Sequence, residues 1–462
     1  QEKEMRRISD ISRLCIIALA LLAASCSPAK HCAQPDLNLP SVYLADMTDS
    51  TTIADIEWWT IYSDTVLHRL IQQTLEHNKD MLIASERIEE MRQMHRISKS
   101  ALFPSLSGEV GGNHEWTNAG GSKPVSDPEI TARLDLSWEI DLWGNLRWAS
   151  RKGAAEYLAS VEAKRAMQMT LISEVAKAYF ELIALDNEYT IVQRTLVTRQ
   201  EGVRQAKIRF EGGLTAETPY QQAQVELAST ASIIPELKRN IAVKESQIAL
   251  LTGQYPGEIK RGGQLSVYES RLEVPVGIPS GLLQRRPDIR QEEQKLAAAQ
   301  AAVGVAQAER FPKFTINLAA GLENDAFTSF FKSPIYNIAA ELVAPIFSFG
   351  RRKARFKASV SAYNQAKLSY EKKVLEAFKE VYDAVITYQT ARENVVLKRH
   401  LLNASRKNVE LTRFQYIDGA INYLDLLDAQ RKYFDAQIAL SDAVRDEHLS
   451  FIALYKSLGG GW

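Results

Sequence analysis

Residues 130–142 alternate apolar and polar side chains without a slip. Ile130, Ala132, Leu134, Leu136, Trp138, Ile140 and Leu142 share one face; Thr131, Arg133, Asp135, Ser137, Glu139 and Asp141 share the other. Period-2 alternation predicts a half-buried strand. Its length exceeds the usual ~5–6 residues and meets the ~9–11 that a tilted strand needs to cross a bilayer. Weaker alternation recurs at 106–113, 314–322 and 336–346. The strands form two hairpins, 105–142 and 314–347, around polar, Gly- and Pro-containing connections at 114–129 and 323–335. Apolar faces would meet lipid and polar faces a lumen. Four strands cannot close a barrel, and open edges are not tolerated in lipid. Several chains must contribute: two would give eight strands with a filled interior, three would give twelve with room for water.

Elsewhere the apolar period is helical. Residues 144–210 hold no proline and only Gly153 and Gly202 as interior glycines, and 350–416 hold neither residue type inside. At ~1.5 Å per residue each predicted helix is roughly 100 Å long. Shorter helices are predicted at 219–253 and 423–457, at 65–102, and at 282–311 with Pro287 in the first turn. The chain is in fact written twice. Shifting by 206 brings Gly144 onto Gly350, Phe210 onto Tyr416, Gly213 onto Gly419 and Gly253 onto Gly459. Two structural repeats follow, 65–253 and 282–459, each a helix, a hairpin, a long helix, a turn and a return helix. Residues 254–281 link them and 460–462 form a tail.

Composition refines this picture. The 462 residues carry 56 basic and 56 acidic side chains, and that balance argues against a nucleic-acid surface. Residues 1–25 read as a signal peptide: Arg6 and Arg7, an apolar stretch from Leu14 to Leu22, then Ala23-Ala24-Ser25 before Cys26. This resembles a lipoprotein signal in which Cys26 is acylated, opening a lipidated segment, 26–64. One acyl anchor binds only marginally, so a second membrane attachment is expected. The remaining cysteines are Cys15 and Cys32, which leaves no disulfide framework for an exported chain.

No phosphate loop, His-Glu-x-x-His or Cys-x-x-Cys occurs, and the seven histidines form no ligand-spaced cluster. Met91 and Met94 read as helix packing rather than a soft-metal site. No catalytic residue, metal or cofactor is expected.

The chain resembles the outer-membrane factor family, the TolC-like exit ducts, and within it the lipoprotein branch serving resistance-nodulation-division pumps. Pro35-Asp36-Leu37, Trp58-Trp59, Leu283 through Arg285-Arg286-Pro287-Asp288-Ile289-Arg290, Arg310-Phe311-Pro312, Asn422 through Arg431, and Leu458-Gly459-Gly460-Gly461-Trp462 carry the resemblance. It implies an α+β membrane protein, a homotrimeric duct embedded in outer-membrane lipid. A 12-stranded β-barrel, four strands per chain, would continue into a 12-helix periplasmic α-barrel. An equatorial region would draw on 26–64 and 254–281. The implied function is passive exit of drugs or toxic small molecules, with a periplasmic adaptor and an inner-membrane pump as partners. The alternatives are a type I secretion duct and a non-conducting coiled-coil envelope lipoprotein.

The turns Gly212-Gly213-Leu214-Thr215 and Gly419-Ala420-Ile421-Asn422-Tyr423 would be the adaptor-docking periplasmic tip. Both restarts read as capping boxes, Thr218-Pro219-Tyr220-Gln221 and Asn422-Tyr423-Leu424-Asp425. A capping carboxylate is the plain structural reading of Asp425. Asp428 lies on the same helix face, so threefold symmetry would gather up to six carboxylates at one constriction. By resemblance Leu424 and Asp428 match a constriction leucine and aspartate, Asp425 a gate aspartate and Tyr416 a gate tyrosine. Ile421 and Pro219 stand where TolC-type gates carry a basic and an acidic residue, so that ionic latch is not expected.

Overall fold

A computed structural model of the chain describes residues 52–53, 64–117, 125–263, 279–326 and 328–460. The signal segment, Cys26, Trp58-Trp59, most of the 254–281 linker and Gly461-Trp462 lie outside the described residues. The elements are α1 (Thr65–His77), α2 (Lys79–Ser100), β1 (Ser105–Thr117), β2 (Val125–Ile140), α3 (Asn145–Glu211), α4 (Thr218–Leu251), α5 (Pro279–Arg285), α6 (Pro287–Ala308), β3 (Lys313–Asn324), β4 (Pro334–Val343), α7 (Arg351–Ile417) and α8 (Tyr423–Ser457). The repeat is written into the backbone. The positive-φ glycines are Gly144, Gly213, Gly253, Gly350, Gly419 and Gly459, three pairs separated by the 206-residue shift. Each pair closes a strand-to-helix joint or a helix end, where a left-handed residue is needed and only glycine is unstrained.

The chain forms two compact units, and each takes matching parts of both repeats. One contains Arg87–Val161 and Gln291–Lys372. Its sheet is antiparallel in the order β1-β2-β3-β4. The two hairpins join where β2 pairs with β3, from Ile130 opposite Asn324 to Ile140 opposite Phe314. Arg133 on the polar face binds Glu109 at 2.8 Å across the β1–β2 ladder and Asp135 at 3.1 Å. The apolar face stays bare: Val110 is 85% exposed and Ile338 81%. Below the sheet Trp148 of α3 is buried against Gly304 of α6, where an added Cβ would sit 2.3 Å from the indole. Trp143 stacks on Phe311 at 4.9 Å and donates to the Pro312 carbonyl. No described helix is long and apolar enough to cross a membrane.

The other unit contains Glu162–Arg290 and Lys373–Trp462 together with α1. Its core joins Leu67, Leu70 and Ile71 of α1 to Val175, Tyr179, Phe180 and Leu182 of α3, Ile248 of α4 and Ile452 of α8. Asp64 caps α1 by accepting from the Val66 and Leu67 amides and also accepts from the Tyr179 hydroxyl. The start of the linker is tied down by Arg261, which pairs with Asp186 at 2.7 Å and Glu245 at 2.6 Å. The Arg-Arg-Pro-Asp motif proves to be a buried staple. Arg286 forks onto Asp288, pairs with Glu380 of α7 at 2.6 Å and donates to the Ser457 carbonyl of α8. Burial works against the Asp288 carboxylate, but Arg286 and Lys373 outweigh it and hold its pKa at about 2.

Four elements differ from the expected bounds. The 65–102 helix is two helices, because Asn78 leaves the helical conformation (ψ 130°), accepts from the Asp80 and Met81 amides and donates to the Leu251 carbonyl. The 282–311 helix is also split: α5 precedes it, and Pro287 starts α6 because a proline lacks the amide an interior position needs. The first hairpin pairs further than its polar composition suggested, to Thr117 and from Val125, while β4 stops at Val343, two residues before Pro345.

His448 of α8 is fully buried and stacks on Phe180 at 4.6 Å; burial pushes its pKa down to about 4. The unfolded chain therefore protonates first as pH falls below ~6.5. Stability should drop between pH 6.5 and 4, by about 3 kcal/mol in all, and be flat above that window. Asp288 titrates only below it. Thermal melting against pH should show this slope, and His448→Phe, which keeps the stack without the proton site, should remove it.

Candidate functional site: the helix-turn tip

Both turns that the sequence singles out are built alike. In the first, Gly213 donates to the Phe210 carbonyl and Leu214 to Arg209; in the second, Gly419 donates to Tyr416 and Ala420 to Gln415. These paired bonds around a left-handed glycine satisfy helix-end carbonyls that would otherwise be orphaned. The backbone therefore turns sharply without a long loop, and Gly212, Gly213, Leu214, Gly419, Ala420 and Asn422 are left exposed. Thr215, Ile421 and Tyr423 are half-buried.

The restarts differ. At α8 the capping box forms: Asn422 accepts from the Asp425 amide at 3.0 Å and the Asp425 carboxylate accepts from the Asn422 amide at 3.3 Å. At α4 it does not. Thr218 is the first helical residue rather than the cap, Glu217 precedes it in a helical conformation, and no side chain caps the end. The Gln221 amide donates to the Glu217 carboxylate instead. A proline in the first turn already fixes φ and removes one orphan N–H, so this end needs less capping.

The gate candidates converge on the second turn. Tyr416 packs on Tyr423 at 5.6 Å and lies beneath the Arg209 guanidinium at 4.8 Å, linking the ends of α3 and α7. Leu424 is 52% exposed while its neighbours Leu426 and Leu427 are buried. A leucine left uncovered within one chain is available to contact another. Asp428 is not a bare carboxylate: Lys432, one turn on, pairs with it at 2.7 Å.

A buried polar cluster behind the turn escaped the sequence reading. Arg199 of α3, 5% exposed, pairs with Glu226 of α4 at 3.3 Å and donates to Gln430 of α8 at 2.6 Å. Arg431 of α8 also binds Glu226. Burial lowers the Arg199 pKa against the pull of Glu226, and burial raises that of the adjoining Tyr423 phenol. One carboxylate thus ties three helices together through two guanidinium groups. The cluster is intramolecular and lies at positions other than the TolC-type latch. Its α8 members come from the other repeat, Gln430 lying 231 residues from Arg199 and Arg431 205 from Glu226, and no spacing rule would reveal those pairs.

Removing one member of a buried ion cluster leaves the others uncompensated, at ~3–5 kcal/mol. Glu226→Gln should therefore lower the thermal midpoint and speed amide exchange in 199–226 and 416–431, leaving the sheet unaffected. A variant with wild-type melting would show that the cluster contributes nothing.

This architecture is shared with known proteins. The family description "Outer membrane efflux protein" matches residues 70–254 and 278–460, the two repeats. The chain is 28% identical over 457 residues to the cation efflux system protein CusC of Escherichia coli, covering 97% of this chain and 99% of CusC. It is 30% identical over 409 residues to the solvent efflux pump outer membrane protein SrpC of Pseudomonas putida, covering 87% and 86%. A crystal structure of CusC superposes with a TM-score of 0.86 at 28% identity over 94% of this chain and all of that one. The MtrE outer membrane channel of Neisseria gonorrhoeae, solved in an open state, gives 0.82 at 27% identity, over 94% and 98% of the two chains. The chain belongs to the outer membrane efflux protein family and is an outer-membrane channel of an efflux system.

Proposed function

We propose that three copies of this chain form one gated duct through which small toxic solutes leave passively, driven by an inner-membrane pump of the resistance-nodulation-division class reached through a periplasmic adaptor. The observation that carries this reading is the sheet: strands of 10 to 16 residues with bare apolar faces and two open edges, continuous in sequence with 67-residue helices. Such edges are stable in lipid only when closed by further strands, and twelve strands leave a lumen. Acylation at Cys26 would add an anchor but not the principal one.

The constriction is Leu424 with Asp425 and Asp428 of α8, backed by Tyr416. Leu424 supplies the apolar plug. The carboxylates bias the opening toward cations, and Lys432 screens Asp428 so that Asp425 supplies the larger uncompensated field. This suits cationic solutes, in keeping with a cation-exporting relative such as CusC. The exposed turns Gly212–Thr215 and Gly419–Tyr423 are the adaptor's docking surface.

In planar bilayers, Asp425→Ala combined with Asp428→Ala should raise single-channel conductance and shift the reversal potential away from cation preference, because Lys432 is left unpaired. Unchanged current would remove both residues from the gate. The partner assignment is tested by a photo-crosslinking residue at Ile421 in living cells. Capture of an adaptor of a resistance-nodulation-division pump supports drug or cation efflux. Capture of an adaptor of an ATP-driven exporter would move the function to protein secretion.

A further inference from the structure

The internal repeat specifies how one copy's β4 pairs with the next copy's β1. Ser105 faces Ser137 in the first hairpin and Lys313 faces Val343 in the second, so β1 maps onto β3 at a shift of 208 and β2 onto β4 at 206. β2 already pairs with β3 inside the chain. β4 and β1 are the two unpaired edges. Carrying the β2–β3 register onto those edges gives definite partners. Ile130 opposite Asn324 becomes Tyr336 opposite Trp116 of the next copy. Ala132 opposite Leu322 becomes Ile338 opposite His114, and Leu136 opposite Leu318 becomes Leu342 opposite Val110.

We infer that the subunit interface in the sheet is a copy of the β2–β3 seam, with Ile338 facing His114, Leu342 facing Val110 and Phe349 stacked on Phe103 of the neighbouring copy. This rests on the three-copy closure proposed above.

Observations other than the shift agree. The register places apolar-face residues opposite apolar-face residues; a one-residue slip would set them against the polar face. A two-residue slip one way puts Glu341 directly opposite Glu109, like charges that repel. The opposite slip sets Leu342 and Ile346 against Gly112 and Gly108, where no side chain meets them. In the inferred register Glu341 faces Gly111, and Tyr336 meets Trp116 as an aromatic cross-strand pair. Both rings are largely exposed in the single chain, at 81% and 68%, with Trp116 stacked on His114 of its own strand at 3.9 Å.

The joint below the sheet gives the same answer. Within the chain, Trp143 after β2 stacks on Phe311 before β3. The two shifts turn these into Phe349 after β4 and Phe103 before β1. Phe349 is 90% exposed and Phe103 62%. Phe349 is also the one non-glycine residue with positive φ (46°) among the described residues, a conformation a bulky side chain rarely adopts. Within its own chain the ring touches Phe347 edge-on at 4.4 Å and leaves its outer face open, and that face is completed by the neighbour's Phe103.

Cysteine pairs in the full-length, membrane-inserted protein read the register directly, in a Cys32→Ser background that keeps Cys26. Directly opposed residues have Cβ atoms ~4.5–5.5 Å apart and diagonal neighbours ~7–8 Å, so only the opposed pair approaches disulfide reach. Ile338→Cys is combined in turn with Gly112→Cys, His114→Cys and Trp116→Cys, and oxidised. The inference expects a non-reducing ladder up to trimer for His114→Cys, at least tenfold stronger than for the other two. Leu342→Cys with Val110→Cys repeats the test should the first variants assemble poorly. A dominant ladder with Gly112→Cys or Trp116→Cys would overturn the register while leaving closure by copies intact. Glutaraldehyde-fixed trimers that form no disulfide in either correct pair would also overturn it. A chain that glutaraldehyde fixes only as monomer would remove the three-copy reading itself.

Discussion

Within a bilayer there is no water to satisfy a spare backbone N–H or C=O, and each unmet group costs several kcal/mol. The rest of this molecule is arranged around that constraint. Its four strands satisfy one another except along β1 and β4, and the chain has no further strand in its described residues to cover them. A single copy is therefore an incomplete object in lipid. The apolar face is bare as well, with Val110, Ile338 and Tyr336 all more than four-fifths exposed. In water this would be an aggregation surface; in lipid it is the solvent-matched one.

The helical parts meet a different requirement: long elements must be held without a broad core. Alanine and glycine contacts such as Gly304 under Trp148 bring backbones close. Where a helix must end or turn, a specific polar group takes over. Asn78, Asp64 and Arg286 each bond several backbone or charged partners at a helix boundary. At the tip, Glu226 plays the corresponding part by holding Arg199 and Arg431 on neighbouring helices. A buried ion cluster is a poor source of net stability, but it is sensitive to the geometry of its members. It therefore favours one arrangement of α3, α4 and α8 over nearby alternatives.

The sequence was most legible where periodicity is long. The helices beginning at 144 and 350 could be placed within a residue and the strand at 130–142 to within two residues at its end, though it starts five residues earlier, since a period of 2.0 or 3.6 sustained over many residues has few rival readings. The second capping box was legible because Asn422 and Asp425 act locally. Its partner at Thr218 was misread, because Glu217 is equally able to enter the helix and the proline reduces the need for a cap. The Asn78 break was hidden because apolar spacing continues across it while the decisive bond goes to Leu251. Asp428 with Lys432 follows the ordinary i,i+4 rule and could have been seen; Arg199 with Glu226 and Arg431 could not, since only the fold brings them together.

Hydrogen–deuterium exchange of the full chain reconstituted in lipid tests the edge constraint most directly. If copies close the sheet, the amides of β1 and β4 should be as protected as those of β2 and β3. Exchange at β1 and β4 faster by orders of magnitude, with β2 and β3 still protected, would mean that the edges stay open and that the chain does not build a closed duct.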